Sequence, residues 1–136
     1  MKTVFVVHCE ELFRNNVPPD FPGRVAELIK GFDQVISLES MLDSNGPLEE
    51  FHHLISRTWD WGWGYDPDMF EGAELDWCIE SSGHQYTWVP PEVRERAWQW
   101  GEVWVAGIFM GECLQDWCDV LDNVGIEYNL LREAIH

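Results

Sequence analysis

Residues 3–7 near the amino terminus form a short, almost uninterrupted run of β-branched and aromatic side chains, Thr3-Val4-Phe5-Val6-Val7. Such a run is typical of a strand that is buried on both faces, as in parallel sheets covered by helices. Further strands are predicted at 34–38, 85–89, 102–109 and 126–131, and helices at 24–30, 47–57, 90–100 and 111–123. This alternation predicts an α/β domain of the Rossmann-like, three-layer α/β/α class, with a mostly parallel sheet of about five strands.

One domain over residues 1–136 is expected, because 46% hydrophobic residues are enough to build a core at this length. An irregular insert is predicted at 58–82, where acidic residues and glycines accompany four tryptophans, Trp59, Trp61, Trp63 and Trp77. These indoles either line a pocket or partner surface, or form a small satellite core under the loop. The main core is expected to hold the tryptophans of the predicted helices and strands, Trp98, Trp100, Trp104 and Trp117.

The pattern of apolar residues favours a cytoplasmic protein that does not associate with membranes. No apolar run reaches the roughly 18–20 residues that cross a bilayer, and charged residues interrupt the first run too early for a signal peptide. The four cysteines are therefore expected to be reduced thiols. Cys113 and Cys118 are five positions apart and face different sides of a helix, which disfavours a zinc site. No metal ion or cofactor is expected.

The formal net charge of −17 is the strongest compositional signal. It repels phosphate backbones and therefore disfavours nucleic-acid binding. High solubility is the simplest interpretation of this charge. The alternatives are attraction of a basic protein partner and, more weakly, mimicry of a nucleic acid.

A turn with a glycine at each end, Gly107 and Gly111, joins the predicted strand at 102–109 to the following helix. Glycine permits such a tight turn and a close approach of the backbone to a ligand. Cys113 then falls in the first turn of the helix, where unpaired N–H groups and the helix dipole favour a thiolate. The same N–H groups would stabilise an oxyanion on a substrate carbonyl. The alternative is that Cys113 is a small buried hydrophobic residue.

From Gly107 to Ala134 the chain resembles the isochorismatase-like cysteine hydrolases, which include nicotinamidases. The family pattern has a glycine at a strand end, the nucleophilic cysteine, a second glycine and an acidic-alanine pair, matched here by Gly107, Cys113, Gly125 and Glu133-Ala134. The spacing from His8 to Phe13 also matches the family motif Asp-x-Gln-x-x-Phe. The resemblance implies hydrolysis of an amide, ester or related bond through a thioester on the cysteine.

Two catalytic groups of that family, an aspartate and a lysine, have no counterpart in this chain. His8 stands at the aspartate position, and the only lysines are Lys2 and Lys30. An imidazole with an ordinary pKa of about 6.5 can accept a thiol proton near neutral pH, so His8 is the candidate base for Cys113. Glu10 is the candidate carboxylate that orients it. The alternative is that His8 is a packed, hydrogen-bonded residue without a catalytic role.

Ligands of parallel α/β sheets bind beyond the carboxyl ends of the strands. The candidate catalytic residues are Cys113, His8 and Glu10, and the candidate substrate-binding residues are Gly107, Phe109, Gly111, Glu112 and Trp88. The preferred hypothesis is a divergent isochorismatase-like protein that binds a small molecule at this edge, with Cys113-dependent hydrolysis as the activity its residues would support. The alternative is a non-catalytic acidic interaction protein, a pseudoenzyme, that binds a basic protein. A homo-oligomer is a further candidate assembly.

Overall fold

The computed structural model describes residues 1–38, 48–54, 97–108, 110–111 and 113–136. In these ranges the strands are β1 (Lys2–Val7), β2 (Gln34–Leu38), β3 (Glu102–Gly107) and β4 (Tyr128–Ile135). The α-helices are α1 (Phe21–Ile29) and α2 (Cys113–Val124), and 3₁₀ helices cover Glu11–Asn16, Glu49–Leu54 and Ala97–Gln99. No helix within the described ranges is long and apolar enough to cross a bilayer.

The four strands form one parallel sheet in the order β2-β1-β3-β4. Strand β1 lies inside the sheet and pairs on both sides, so that Val4 is the partner of Val35 in β2 and of Trp104 in β3. Every residue of β1 after Lys2 is buried. The predicted α/β class with a parallel sheet is therefore confirmed, and the run that begins at Thr3 is one of its two inner strands in the described sheet.

Helices α1 and α2 pack against alternate side chains of β1. Val4 and Val6 of β1 belong to a buried cluster that includes the apolar residues of α1, whereas the Phe5 ring lies 4.9 Å from the Trp117 ring of α2. The Phe5 ring also meets Trp100 edge to face, with a centroid distance of 4.7 Å. Successive side chains of a strand point to opposite faces, so the continuous hydrophobic run serves two cores at once.

Several element boundaries differ from the predicted ones. Helix α1 begins at Phe21, three residues earlier than expected, because Pro22 fits the first turn, where its missing N–H has no helical partner to lose. Helix α2 begins at Cys113, two residues later than expected, and this residue keeps its predicted place in the first turn. Strand β4 runs to Ile135 rather than ending at 131, and its pairing with β3 shifts register between Val105 and Gly107.

Two predicted helices are 3₁₀ helices in the parts that the structure describes, Glu49–Leu54 and Ala97–Gln99. Leu48 and Phe51 are buried three positions apart, a spacing that matches the three-residue turn of a 3₁₀ helix. The core prediction for Trp98 is wrong, since 79% of its surface is exposed while Trp100 is fully buried. Trp98 and Trp100 are two positions apart, so at about three residues per turn their side chains point in different directions. The predicted strand at 85–89 and the insert at 58–82 lie outside the described residues.

The glycine that ends β3 permits a close approach between β1 and β3. Gly107 has a φ of 115°, a conformation that side chains with a Cβ rarely adopt. A Cβ at this position would lie 2.5 Å from the Val7 amide nitrogen and closer still to the Val7 carbonyl oxygen. Any other residue would therefore separate β1 from β3 at their carboxyl ends.

We expect Gly107→Ala to lower the free energy of unfolding by at least about 3 kcal/mol, because backbone strain and steric overlap act together. Chemical denaturation followed by circular dichroism measures the change. Gly23→Ala is the matched control, since a Cβ there meets nothing within 4 Å and the residue lies in α1. That control should be neutral or slightly stabilising, by up to about 1 kcal/mol. Equal effects of the two substitutions would contradict the close approach at Gly107.

Candidate active site

Three strands end side by side at the carboxyl edge of the sheet. Val7 of β1 is the partner of Gly107 in β3, and Gly107 is the partner of Ile135 in β4. The parallel pattern continues one residue further on each side, since His8 N donates to Leu38 O at 2.8 Å and Ile108 N donates to Val7 O at 2.8 Å. His8 and the turn that leads to α2 therefore leave the sheet next to each other.

His8 leaves β1 in a left-handed backbone conformation. Its φ of 50° makes it the one non-glycine residue with a positive φ in the described ranges, and only 6% of its surface is exposed. This conformation costs a non-glycine residue about 1–3 kcal/mol and persists only where the surrounding structure holds it. Strained residues of this kind concentrate at functional sites, which draws attention to what the His8 side chain does.

The His8 imidazole is hydrogen-bonded to Glu10, with 2.6 Å between Nδ1 and Oε1. Glu10 is fully buried. With Nδ1–H donating to the carboxylate, the neutral imidazole carries its lone pair on Nε2. The Phe13 ring meets the imidazole edge to face at a centroid distance of 5.9 Å. The imidazole is thus held in one orientation, and the Glu10 carboxylate stabilises the imidazolium that forms when Nε2 takes up a proton.

Cys113 begins α2 five residues after Ile108, so the first turn of this helix starts from the carboxyl edge of the sheet. The connecting turn contains Gly111, whose φ is 81°. Two backbone hydrogen bonds tie the turn to the end of β4: His136 N donates to Gly107 O at 3.1 Å, and Met110 N donates to His136 O at 3.0 Å. The position of the helix start is therefore set by β4 as well as by β3.

The structure brings His8 and Glu10 into contact and places Gly107, Gly111 and the start of α2 at the same edge. Gly107 is buried against β1 and acts through its close approach to Val7. The other predicted substrate-binding residues, Phe109, Glu112 and Trp88, lie outside the described residues.

His136 is a residue at this edge that the sequence reasoning missed. It follows β4 directly, and its exposed ring lies 5.8 Å from the Phe21 ring at the start of α1. A β4 prediction that extended past 131 would have placed it there, because residues that follow parallel strands share one edge.

Two further cysteines, Cys9 and Cys118, are buried and free. Burial, reinforced by the neighbouring Glu10 carboxylate, raises the pKa of the Cys9 thiol well above its ordinary value. Burial also raises the pKa of Cys118 to about 11. Both thiols therefore stay protonated at neutral pH, so neither is a nucleophile or a good metal ligand there.

A surface cavity of about 650 Å³ lies away from this edge, towards the start of β4 and the end of α2. Its lining combines charged, polar and apolar side chains. These are Asp122, Glu127, Tyr128, Asn129, Leu130 and Arg132. The described ranges hold no group of three or more His, Cys, Asp or Glu side chains that could bind a metal ion.

A scan against protein-family models and searches of curated proteins and of solved structures gave no match to this chain. The resemblance to isochorismatase-like hydrolases therefore rests on the residues of the chain itself.

The raised pKa of Cys118 predicts a loss of stability at alkaline pH. The folded protein holds this thiol proton up to about pH 11, whereas an ordinary thiol loses it near pH 9.0. The raised pKa of Cys118 therefore adds about 3 kcal/mol to the free energy of unfolding below pH 9.0. This contribution is lost as the pH rises from 9.0 to 11. Urea denaturation between pH 8 and pH 11 should therefore show a shallower decline for Cys118→Ala than for the wild type.

Leu121→Ala is the control for that measurement, because Leu121 is fully buried in the same helix and does not titrate. It should lower the free energy of unfolding by an amount that does not change with pH. Parallel curves for the wild type and Cys118→Ala would contradict the shifted thiol.

Proposed function

We propose that this chain is a divergent isochorismatase-like domain of three-layer Rossmann-like architecture. It binds a small molecule at the carboxyl edge of the sheet and hydrolyses an amide- or ester-type bond with Cys113 as the nucleophile. The observation that carries this proposal is the 2.6 Å hydrogen bond between two buried side chains, His8 and Glu10, directly after the inner strand β1. A buried imidazole oriented by a carboxylate is the arrangement of the histidine base in catalytic triads.

The proposed reaction begins when His8 Nε2 takes the proton of the Cys113 thiol. The thiolate attacks the substrate carbonyl carbon, and the electron pair of the C=O bond moves to oxygen, where N–H groups of the first turn of α2 stabilise the charge. Collapse of this intermediate expels the amine or alcohol, which takes the proton from His8, and leaves an acyl thioester. Water, deprotonated by His8, then releases the acid and regenerates the thiol.

In this reaction scheme the work of the family aspartate is divided between two residues. His8 stands at the aspartate position and moves the proton, while Glu10, two residues later, supplies the negative charge. The lysines do not replace the missing family lysine. Lys2 begins β1 at the opposite edge of the sheet, and Lys30 pairs with Glu27 on the surface at 2.7 Å. The N–H groups at the start of α2 are the remaining group that polarises the carbonyl.

Alkylation of Cys113 by iodoacetamide, followed across pH by peptide mass spectrometry, tests the proposed base. In the wild type, the rate should reach half its maximum well below pH 8.5, the ordinary thiol value. Glu10→Gln removes the charge that stabilises the imidazolium, so alkylation at pH 7 should slow at least tenfold. Glu27→Gln is the matched control, because it removes the same charge from an exposed position on α1. That control should react like the wild type.

Turnover is tested with a panel of small carboxamides and esters, on which Cys113→Ala should abolish product release. An ordinary midpoint near pH 8.5 that Glu10→Gln leaves unchanged, together with no turnover of any substrate, would remove the hydrolase proposal.

A second candidate function is binding of a basic protein without catalysis. Two observations favour it: the net charge of −17 and the exposure of Trp98, 79% of whose surface contacts solvent. Tryptophan is enriched among the residues that dominate protein interfaces, and a complementary charge accelerates the encounter. In this alternative the acidic surface attracts the partner and the indole anchors it.

Binding of an arginine- and lysine-rich peptide, measured by calorimetry, tests this alternative. The affinity should fall at least tenfold between 50 and 500 mM salt, because exposed charges are screened. Trp98→Ala should weaken binding at both salt concentrations, whereas Gln99→Ala, at the exposed neighbouring position, should not. Equal binding by the two variants would reduce the interaction to non-specific charge attraction and contradict the indole anchor.

A further inference from the structure

Arg14 makes a two-sided ion pair close to the candidate active site. Its Nε and Nη2 atoms donate to the two carboxylate oxygens of Glu11, both at 2.7 Å. Its Nη1 and Nη2 atoms donate to the two carboxylate oxygens of Glu50, both at 2.8 Å. We call these three residues the Arg14 clamp. Paired, planar hydrogen bonds of this kind are the most geometrically specific that a guanidinium forms.

The clamp joins two segments that are far apart in the sequence. Arg14 and Glu11 belong to the 3₁₀ helix Glu11–Asn16, and Glu50 belongs to the 3₁₀ helix Glu49–Leu54. Two more hydrogen bonds connect the same segments: Leu48 N donates to Cys9 O at 2.9 Å, and Glu49 N donates to Glu11 Oε1 at 3.0 Å. The second segment is itself anchored to the core, because Leu48 and Phe51 are buried.

Glu10 lies between the two attachment points of the first segment. Cys9, before it, is held through its carbonyl oxygen, and Glu11, after it, is held through its carboxylate. The 3₁₀ helix that follows also reaches back to the site, since Phe13 N donates to Glu10 O at 3.0 Å and the Phe13 ring contacts His8. The position of the Glu10 carboxylate therefore depends on how this helix is held.

Without the guanidinium, the Glu11 and Glu50 carboxylates would face each other with no cation between them. Like charges at this separation repel, and the repulsion would act directly on the segment that begins at Glu10. A displacement of about 1 Å is enough to weaken a hydrogen bond of 2.6 Å substantially.

We propose that Arg14 is a positioning residue, which keeps Glu10 within hydrogen-bonding distance of His8 by tying the helix after Glu10 to the core-anchored segment at 48–54. The inference rests on the proposed function only in treating the His8–Glu10 pair as the base and its orienting group. Arg14 itself touches neither His8 nor substrate in this role.

The direction of change in His8 separates positioning from a simple charge effect. If Arg14 acted only through its positive charge, Arg14→Gln would favour the protonated imidazole, and Glu50→Gln would favour the neutral one. If Arg14 acts by positioning, both substitutions loosen the clamp and weaken the bond to Glu10. Both would then favour the neutral imidazole.

The experiment follows the His8 ring by ¹⁵N–¹H NMR from pH 5 to pH 9 in the full chain. We expect the His8 titration to move to lower pH by at least half a unit in both Arg14→Gln and Glu50→Gln, with loss of the Nδ1–H signal that reports the bond to Glu10. Arg14→Lys should give a smaller shift, because an ammonium group can bridge the two carboxylates but cannot pair with both oxygens of each.

Arg24→Gln is the matched control, because Arg24 forms an exposed pair with Asp20 at 3.1 Å within the α1 region. It should leave the His8 titration unchanged. Opposite shifts in Arg14→Gln and Glu50→Gln, or no shift in either, would overturn the proposal. If Arg14→Gln does not fold, Arg14→Lys still decides the question, because it keeps the positive charge and loses the paired hydrogen bonds, so a charge effect alone predicts no shift.

The NMR readout also separates this inference from the proposed hydrolase. If Cys113 is unreactive but the His8 titration moves to lower pH in Arg14→Gln and Glu50→Gln, the hydrolase proposal is wrong and the positioning role of Arg14 stands. If Cys113 is reactive, and neither its reactivity nor the His8 titration changes in Arg14→Gln and Glu50→Gln, only the positioning role of Arg14 is wrong.

Discussion

The pairing of β1 with β3 is the interaction on which the rest of this structure depends. β1 hydrogen-bonds to neighbours on both sides and supplies side chains to the cores on both faces. The absence of a Cβ at Gly107 lets the last residues of the two strands meet at Val7. Because the strands are parallel, that contact also brings together the segments that follow them. The site is thus a consequence of the sheet.

The chemistry at this edge depends on burial. An imidazole and a carboxylate on the surface would exchange their bond with water, and the pair would be weak. Here His8 and Glu10 are both removed from solvent, where a hydrogen bond is electrostatically stronger than in water. The left-handed turn at His8 permits a bond between residues only two positions apart. His8 thus combines a strained backbone conformation with a buried hydrogen bond to Glu10.

The large negative charge of the protein is compatible with this site because charges near it are locally paired. Arg14 lies between Glu11 and Glu50. Hydrogen bonds from its guanidinium lower the pKa of Glu50, so the Glu50 carboxylate stays ionised at neutral pH. Elsewhere, the ion pairs of Arg24 and Lys30 are short-range and exposed, and they contribute little stability. With only eight basic residues in the chain, the placement of Arg14 next to the site is a specific feature of the fold.

Hydrophobic runs and glycine positions in the sequence were sufficient to predict the buried strand at 3–7, β2 at 34–38, the α/β class and the place of Cys113 in the first turn of a helix. Those features depend on local patterns of one or two residue types, which a single sequence displays. Three other features depended on contacts between distant segments: the extension of β4 to Ile135, the 3₁₀ geometry around Phe51 and the exposure of Trp98. No local pattern carries that information.

The residue types at His8, Glu10 and Cys113 were enough to suggest a base, an orienting carboxylate and a nucleophile. The sequence thus determined which chemistry was available. Only the tertiary structure decided that His8 and Glu10 are buried together. It also decided that Arg14, four residues after Glu10, binds Glu50 in a segment 36 residues further along the chain. The physical reason is that burial and long-range hydrogen bonds are properties of how segments pack, and packing is settled only when the whole sheet has formed.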